Sequence, residues 1–270
     1  GLGCPDWPLC HGRPYPPADA HAIIEYSHRA VGSLTGVLII ATVILAWVVW
    51  RSRRPIVAWL ATASLIGVVG EGLLGAGVVA HELASWLVLV HLALAMIILG
   101  FLVATAVMAM PPSRGALEPG YRRLAAIASG AAFLLLLTGS TVVASGADTT
   151  CHAWPLCGSG FTPDFTGVNA FTMLHRGSVV LVGAMLIFVL LRGTRLPGLK
   201  AVCIGTLAVF ALQVAVGAAA AVTDAAFFNG FHVALATLVW AGVLTTALLT
   251  LPRADRDARL SHLAVEKGPA

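Results

Sequence analysis

Seven apolar stretches, each close to the roughly 20 residues a helix needs to cross a bilayer, run about 33–50, 56–78, 87–109, 124–144, 172–191, 201–222 and 230–251. No other feature narrows the fold as far, because in hydrocarbon only helices and closed barrels satisfy their own backbone hydrogen bonds. A barrel would show short segments of alternating apolar and polar residues, and none are visible. With 59% hydrophobic and only 10% charged residues, far outside the globular range, the chain is expected to be an all-α integral membrane protein.

Basic residues collect in short cytoplasmic loops. Arg51, Arg53 and Arg54 follow the first stretch, Arg114, Arg122 and Arg123 the third, Arg192, Arg195 and Lys200 the fifth, and Arg253, Arg256, Arg259 and Lys267 the seventh. Loops 51–55, 110–123 and 192–200 are therefore expected in the cytoplasm, and 1–24, 79–86, 145–170 and 223–229 outside. The +4 net charge is a topology signal, and no nucleic-acid partner is expected. Trp47, Trp50, Trp59 and Trp86, near helix ends, read as interfacial anchors.

The outer loops carry the same heptapeptide twice, CPDWPLC at 4–10 and CHAWPLC at 151–157. Disulfides persist outside the cytoplasm, and Pro with Trp between the cysteines suits a rigid external turn. Covalent loops Cys4–Cys10 and Cys151–Cys157 are expected; the alternative is two pairs of free or metal-binding thiols. Cys203, alone inside a helix, reads as a small buried apolar residue.

Sliding the chain on itself by the 147 residues that separate Cys4 from Cys151 also aligns Trp7 with Trp154, His28 with His175, Arg29 with Arg176 and Gly36 with Gly183. A slightly smaller offset pairs Glu71 with Gln213, Gly75 with Gly217 and His91 with His232. Two pseudo-repeated four-helix bundles are expected: an N-terminal half over 1–110 and a C-terminal half over 124–251, followed by a cytoplasmic polar tail over 252–270. Parallel repeats keep one orientation only with an even number of helices each. The second half has four and the first only three, and the chain begins without Met. It is thus read as a fragment lacking its first helix, with seven helices present and eight expected in the full protein.

Ionisable groups inside a membrane are costly and mark functional interiors. His28 and His175 open helices that run inward, and His91 and His232 lie near the outer ends of two others, so all four belong to the outer leaflet. Paired histidines without Cys or carboxylate ligands suit a haem iron with two axial imidazoles; another metal, a proton relay or plain packing are the alternatives. Gly32, Gly36, Gly177 and Gly183 would let a flat macrocycle approach, or simply let helices pack. Arg29 and Arg176 are candidates to neutralise haem propionates or to snorkel. His11, His21, His81, His152 and His262 read as solvated.

The sequence EYSHR at 25–29, the two WPLC loops, LHRG at 174–177 and a single His in each fourth helix resemble the haem A synthase family over residues 1 to about 251. The resemblance implies an oxidoreductase that converts haem O to haem A for cytochrome oxidase. It further implies a haem b cofactor on His175 and His232 in the C-terminal half, substrate haem O between His28 and His91 in the N-terminal half, Glu25 as catalytic carboxylate and the Cys pairs as external disulfides. Glu71, where the family pattern suggests Gln as at Gln213, departs from it; both are candidates for the haem environment. The implied partners are haem O, the haem O synthase that supplies it, an electron donor of unspecified identity, the lipid bilayer and, as one form of assembly, a homo-oligomer. The rival readings are a dihaem electron-transfer cytochrome, with quinol as one candidate electron donor, and a transporter or assembly protein. Only one half carries a carboxylate one turn before its His, Glu25 against Thr172, which a pure electron carrier would not need.

Overall fold

A computed structural model describes residues 3–111, 118–158, 161–223 and 225–252. Arg114, the basic residues from Arg253 onward and most of the 252–270 tail lie outside the described residues. Among those described there are seven long helices: α1 (Ala20–Trp50), α2 (Pro55–Ala80), α3 (Ser85–Ala109), α4 (Pro119–Ala144), α5 (Asn169–Gly193), α6 (Lys200–Thr223) and α7 (Ala226–Leu249), with a short 3-10 turn at Ala147–Thr149. All seven are long and apolar enough to cross a membrane. The protein is an all-α, multi-pass membrane protein.

Every expected stretch is a helix, but several start earlier than hydropathy suggests. The largest difference is α1: its apolar run starts near residue 33 and His28 reads as its opening residue, but the helix begins at Ala20, where Asp19 caps it, its carboxylate accepting from Ala22 N at 3.0 Å. The segment before it, expected to run over 1–24, is correspondingly shorter. Pro55 and Pro119 open α2 and α4 at the position where a missing N–H costs nothing.

Consecutive helices pack as antiparallel neighbours, α1 on α2, α2 on α3, α4 on α5 and α6 on α7, while α3 and α4 both lean on α7. With little hydrophobic drive between helices in lipid, close approach depends on small residues. Ala46 of α1 meets Val57, Ala58 and Ala61 of α2 in one cluster. A methyl group at Gly67 would stand 2.7 Å from Ile98, and one at Gly100 would stand 3.0 Å from Trp240. The main core lies among α4 to α7, around Tyr121, Leu186, Leu190, Val239 and Trp240, with Met96 of α3 joining it. Trp240 donates its indole N–H to Ser129 O at 3.2 Å, tying α7 to α4. Cys203 is buried in this core, within 3.8 Å of Thr246 Oγ1, as a small core residue.

Candidate functional site

Both heptapeptides close into disulfides, Cys4–Cys10 and Cys151–Cys157. Each loop is fastened by the arginine beside the first histidine of its half. Arg29 donates Nη1 to Asp6 O and Leu9 O, both at 2.7 Å, and Nη2 to Cys4 O at 3.1 Å. Arg176 donates Nη1 to Ala153 O at 2.8 Å and Pro155 O at 3.1 Å. Asp6 and Ala153 correspond at the 147-residue offset, so the two arginines make the same contact. A propionate would have to share these guanidiniums with the loop carbonyls. Within the first loop Asp6 accepts from the backbone N–H groups of Gly12 and His11, which hold its carboxyl below the usual range.

The halves then diverge. Glu25 Oε2 accepts from Gly3 N at 2.8 Å and Cys4 N at 3.1 Å, and Oε1 pairs with Arg29 at 2.5 Å. Glu25 and Arg29 thus clamp the first loop from one helix face, being one turn apart. Thr172 stands in the place of Glu25, and its hydroxyl is buried with no hydrogen-bond partner among the described residues.

His91, His175 and His232 lie in the second turns of α3, α5 and α7, and His28 in the third turn of α1. The His28 and His91 rings face each other with centroids 6.5 Å apart. Two imidazoles on one metal ion need about 2 Å per metal–nitrogen bond and about 1 Å more from nitrogen to ring centre on each side, or about 6 Å between centroids. The observed spacing fits one ion shared between them. No group of three or more His, Cys, Asp or Glu could hold a metal among the described residues, so the ion's remaining ligands would come from a bound group such as a macrocycle.

His91 Nδ1 lies 3.1 Å from Glu71 Oε1, in ion-pair range, without the alignment of a hydrogen bond. Sequence comparison flagged Glu71 as a departure but carried no sign of this contact. On the other side His232 Nδ1 lies 3.2 Å from Gln213 O and its Nε2 3.3 Å from the Gln213 amide nitrogen. His175 Nδ1 is held 2.9 Å from Thr138 Oγ1, leaving Nε2 free. Thr138 was not legible in the sequence, since one hydroxyl in an apolar helix has no distinguishing pattern.

Glycines shape the room around these rings. A methyl at Gly217 would come within 2.5 Å of His232 Cε1, one at Gly139 within 3.1 Å of His175 Cε1, and one at Gly75 within 3.4 Å of His91 Cε1. Gly32, Gly36 and Gly177 face open space, while Gly183 is a packing glycine against Phe210. His175 is covered by α4, whereas His28 is exposed, and no described helix takes the place beside it that α4 takes beside His175.

The COX15-CtaA family, described as cytochrome oxidase assembly protein, matches this chain over residues 1–244. The chain belongs to that family. Among its relatives within this family, a protein named heme A synthase from Shouchella clausii is 29% identical over 69% of this chain and 65% of its own length. One of the same name from Alkalihalophilus pseudofirmus is 30% identical over 71% and 65%. A third, from Symbiobacterium thermophilum, is 29% identical over 93% of this chain and 87% of its own length. The chain thus spans just under two thirds of the length of the first two.

Proposed function

We propose that this chain is a haem A synthase, an oxidoreductase of the cell membrane that oxidises a ring methyl of haem O to formyl and so supplies haem A for cytochrome oxidase. The observation that carries the reading is the inequality of the two His pairs. Glu25 and Glu71 accompany His28 and His91, while Thr172 and Gln213 occupy the matching places beside His175 and His232. Two electron-carrying haems would have no use for that difference; a substrate site beside a cofactor site has. The relatives named heme A synthase support the same choice over a dihaem cytochrome.

In this reading the N-terminal half, 1–110, binds haem O between His28 and His91, and the C-terminal half, 124–251, holds haem b on His175 and His232. The two halves descend from one repeated bundle. Haem b, when bound, supplies one-electron transfer. The residues of the second pair fit it: Thr138 holds His175 at Nδ1, Gly139 and Gly217 leave space at the rings, and the buried side-chain oxygen of Gln213, without a hydrogen-bond partner among the described residues, is free for a polar-edged guest. Binding requires the Gln213 amide to leave His232 Nε2.

At the first pair the protein orients the substrate. Arg29 and Glu25 draw the Cys4–Cys10 loop down over the outer end of α1, one turn from His28. Glu25 is the carboxylate placed to manage protons as the methyl passes through two successive hydroxylations, each taking one oxygen atom from dioxygen while two electrons from the donor and two protons reduce the other to water, and the resulting gem-diol loses water to give the formyl group. The basic loops face the cytoplasm and the Cys loops the outside; haem O arrives from its synthase and electrons from a membrane donor. Expressing the full-length protein in cells that make haem O but lack a haem A synthase tests the reading. Extraction should yield haem A, whereas haem b alone would favour the dihaem cytochrome.

A further inference from the structure

Glu71 and Gln213 occupy corresponding places, each midway along the helix that precedes the one carrying the second histidine of its half. They meet that histidine differently. Gln213 offers its backbone carbonyl to His232 Nδ1 at 3.2 Å, a neutral acceptor. In the first half His91 Nδ1 has no hydrogen-bond partner among the described residues; the Glu71 carboxylate lies 3.1 Å from it, with the Glu71 side chain only 15% exposed. Its other oxygen, Oε2, is buried and has no hydrogen-bond partner among the described residues. A buried carboxylate kept in an apolar helix with one oxygen unpartnered is expensive, and the imidazole is the polar group it faces. Gly75, one turn further along α2, leaves the His91 ring ordinary contact distance on that side.

We propose that Glu71 is the positioning residue of the His28–His91 pair: by accepting the Nδ1–H of His91 it fixes the tautomer that presents Nε2 toward His28 as an iron ligand. The inference rests on the assignment of this pair to the substrate haem. A turn of the His91 ring about its own axis converts the present 3.1 Å approach into an aligned hydrogen bond, as is common when a site closes on its ligand. A carboxylate behind a ligating imidazole fixes its orientation and raises its basicity, and removing such a partner typically lowers metal affinity about 10- to 100-fold. The two His pairs thereby become electronically distinct although their ligands are the same, one backed by a carboxylate and the other by a carbonyl.

The test uses full-length protein purified from membranes, with extracted haems counted per chain so that haem O plus haem A report the first pair and haem b reports the second. Glu71→Ala should lower haem O plus A about 10-fold or more and leave haem b unchanged. Glu71→Gln, which keeps an acceptor but not the charge, should restore most of the haem while shifting the low-spin ferric resonance of that haem alone. Wild-type retention in Glu71→Ala, or a resonance in Glu71→Gln identical to wild type, would overturn the proposal; the Gln variant decides if the Ala variant does not accumulate. His91→Ala is the separate control: if it keeps haem O and A in full, it is the assignment of the pair that fails.

Discussion

Glu25 and Arg29 form an ion pair one helical turn apart on α1, and both hold the same loop: the carboxylate takes the N–H groups of Gly3 and Cys4, the guanidinium the carbonyls of Cys4, Asp6 and Leu9. A short disulfide-closed segment is thereby fastened through its main chain to the helix that carries His28. Any change at Glu25 acts on the loop as well as on the proposed chemistry, so its structural role and its proposed catalytic one must be read separately.

Glu25→Gln keeps an acceptor for the two N–H groups but removes the charge that faces Arg29. Haem b content, membrane insertion and the Cys4–Cys10 bond should be retained. Conversion of haem O should fall about 100-fold or more, the scale of a lost acid–base group. Thr172→Val, which removes a hydroxyl that has no hydrogen-bond partner among the described residues, should leave conversion unchanged. Extracting haems from cells that express each full-length variant reads both; normal haem A yield from Glu25→Gln would end the catalytic role.

The disulfides each span a sequence separation of six, so closing them restricts little of the unfolded chain and should contribute only about 2 kcal/mol of local order. Cys4→Ser should therefore leave the helices inserted while making the loop before α1 more open to protease, with Glu25 and Arg29 still holding part of it. Non-reduced peptide mass spectrometry should find both pairs linked in protein isolated without reductant. Four free thiols would contradict the structure.

The helices were legible because each contains an apolar run long enough to span, but the first turns of α1 were not. Residues 20–29 include His21, Glu25, His28 and Arg29, which hide the start of the helix from a hydropathy reading; Glu25 and Arg29 are spent on the disulfide loop, while His21 and His28 are exposed. The four histidines stood out through the repeat, and the ring contact of His28 with His91 agrees with their shared depth. What the arginines hold could not be read, because main-chain carbonyls are the same in every residue. The Glu71 contact was equally hidden: it depends on the rotation of α2 against α3, and both helices are apolar on nearly every side.

Orientation rests on Arg51, Arg53 and Arg54 lying at the opposite end of α1 from the Cys4–Cys10 loop. Phe161, 85% exposed in the loop before α5, and Ser52, exposed in the turn after α1, sit at the two ends of the bundle. A membrane-impermeant thiol reagent should label Phe161→Cys in intact cells and reach Ser52→Cys only after the membrane is opened. The native background is low, since four cysteines are paired and Cys203 is buried. Labelling of Ser52→Cys alone in intact cells would invert the topology.

Gly75 and Gly217 face the second histidine of each pair from matching positions but at different distances, and that difference separates their substitutions. A methyl at Gly217 would lie 2.5 Å from His232 Cε1 and 2.9 Å from Nδ1, so the ring must move. Its Nδ1 contact with Gln213 O, already 3.2 Å long, would go with it. A displaced ligand binds poorly even when chemically intact, so Gly217→Ala should lower haem b content about 10-fold while the helix itself gains slightly from alanine's better propensity. At Gly75 the methyl would stand 3.4 Å from His91 Cε1, an ordinary contact that moves nothing. Gly75→Ala should keep haem O binding and conversion near wild type. Haem content per chain in purified full-length protein distinguishes the two: equal haem b in Gly217→Ala and wild type would mean that His232 does not hold the haem, and loss of haem O in Gly75→Ala would mean that the first site closes more tightly on its ligand than the structure allows.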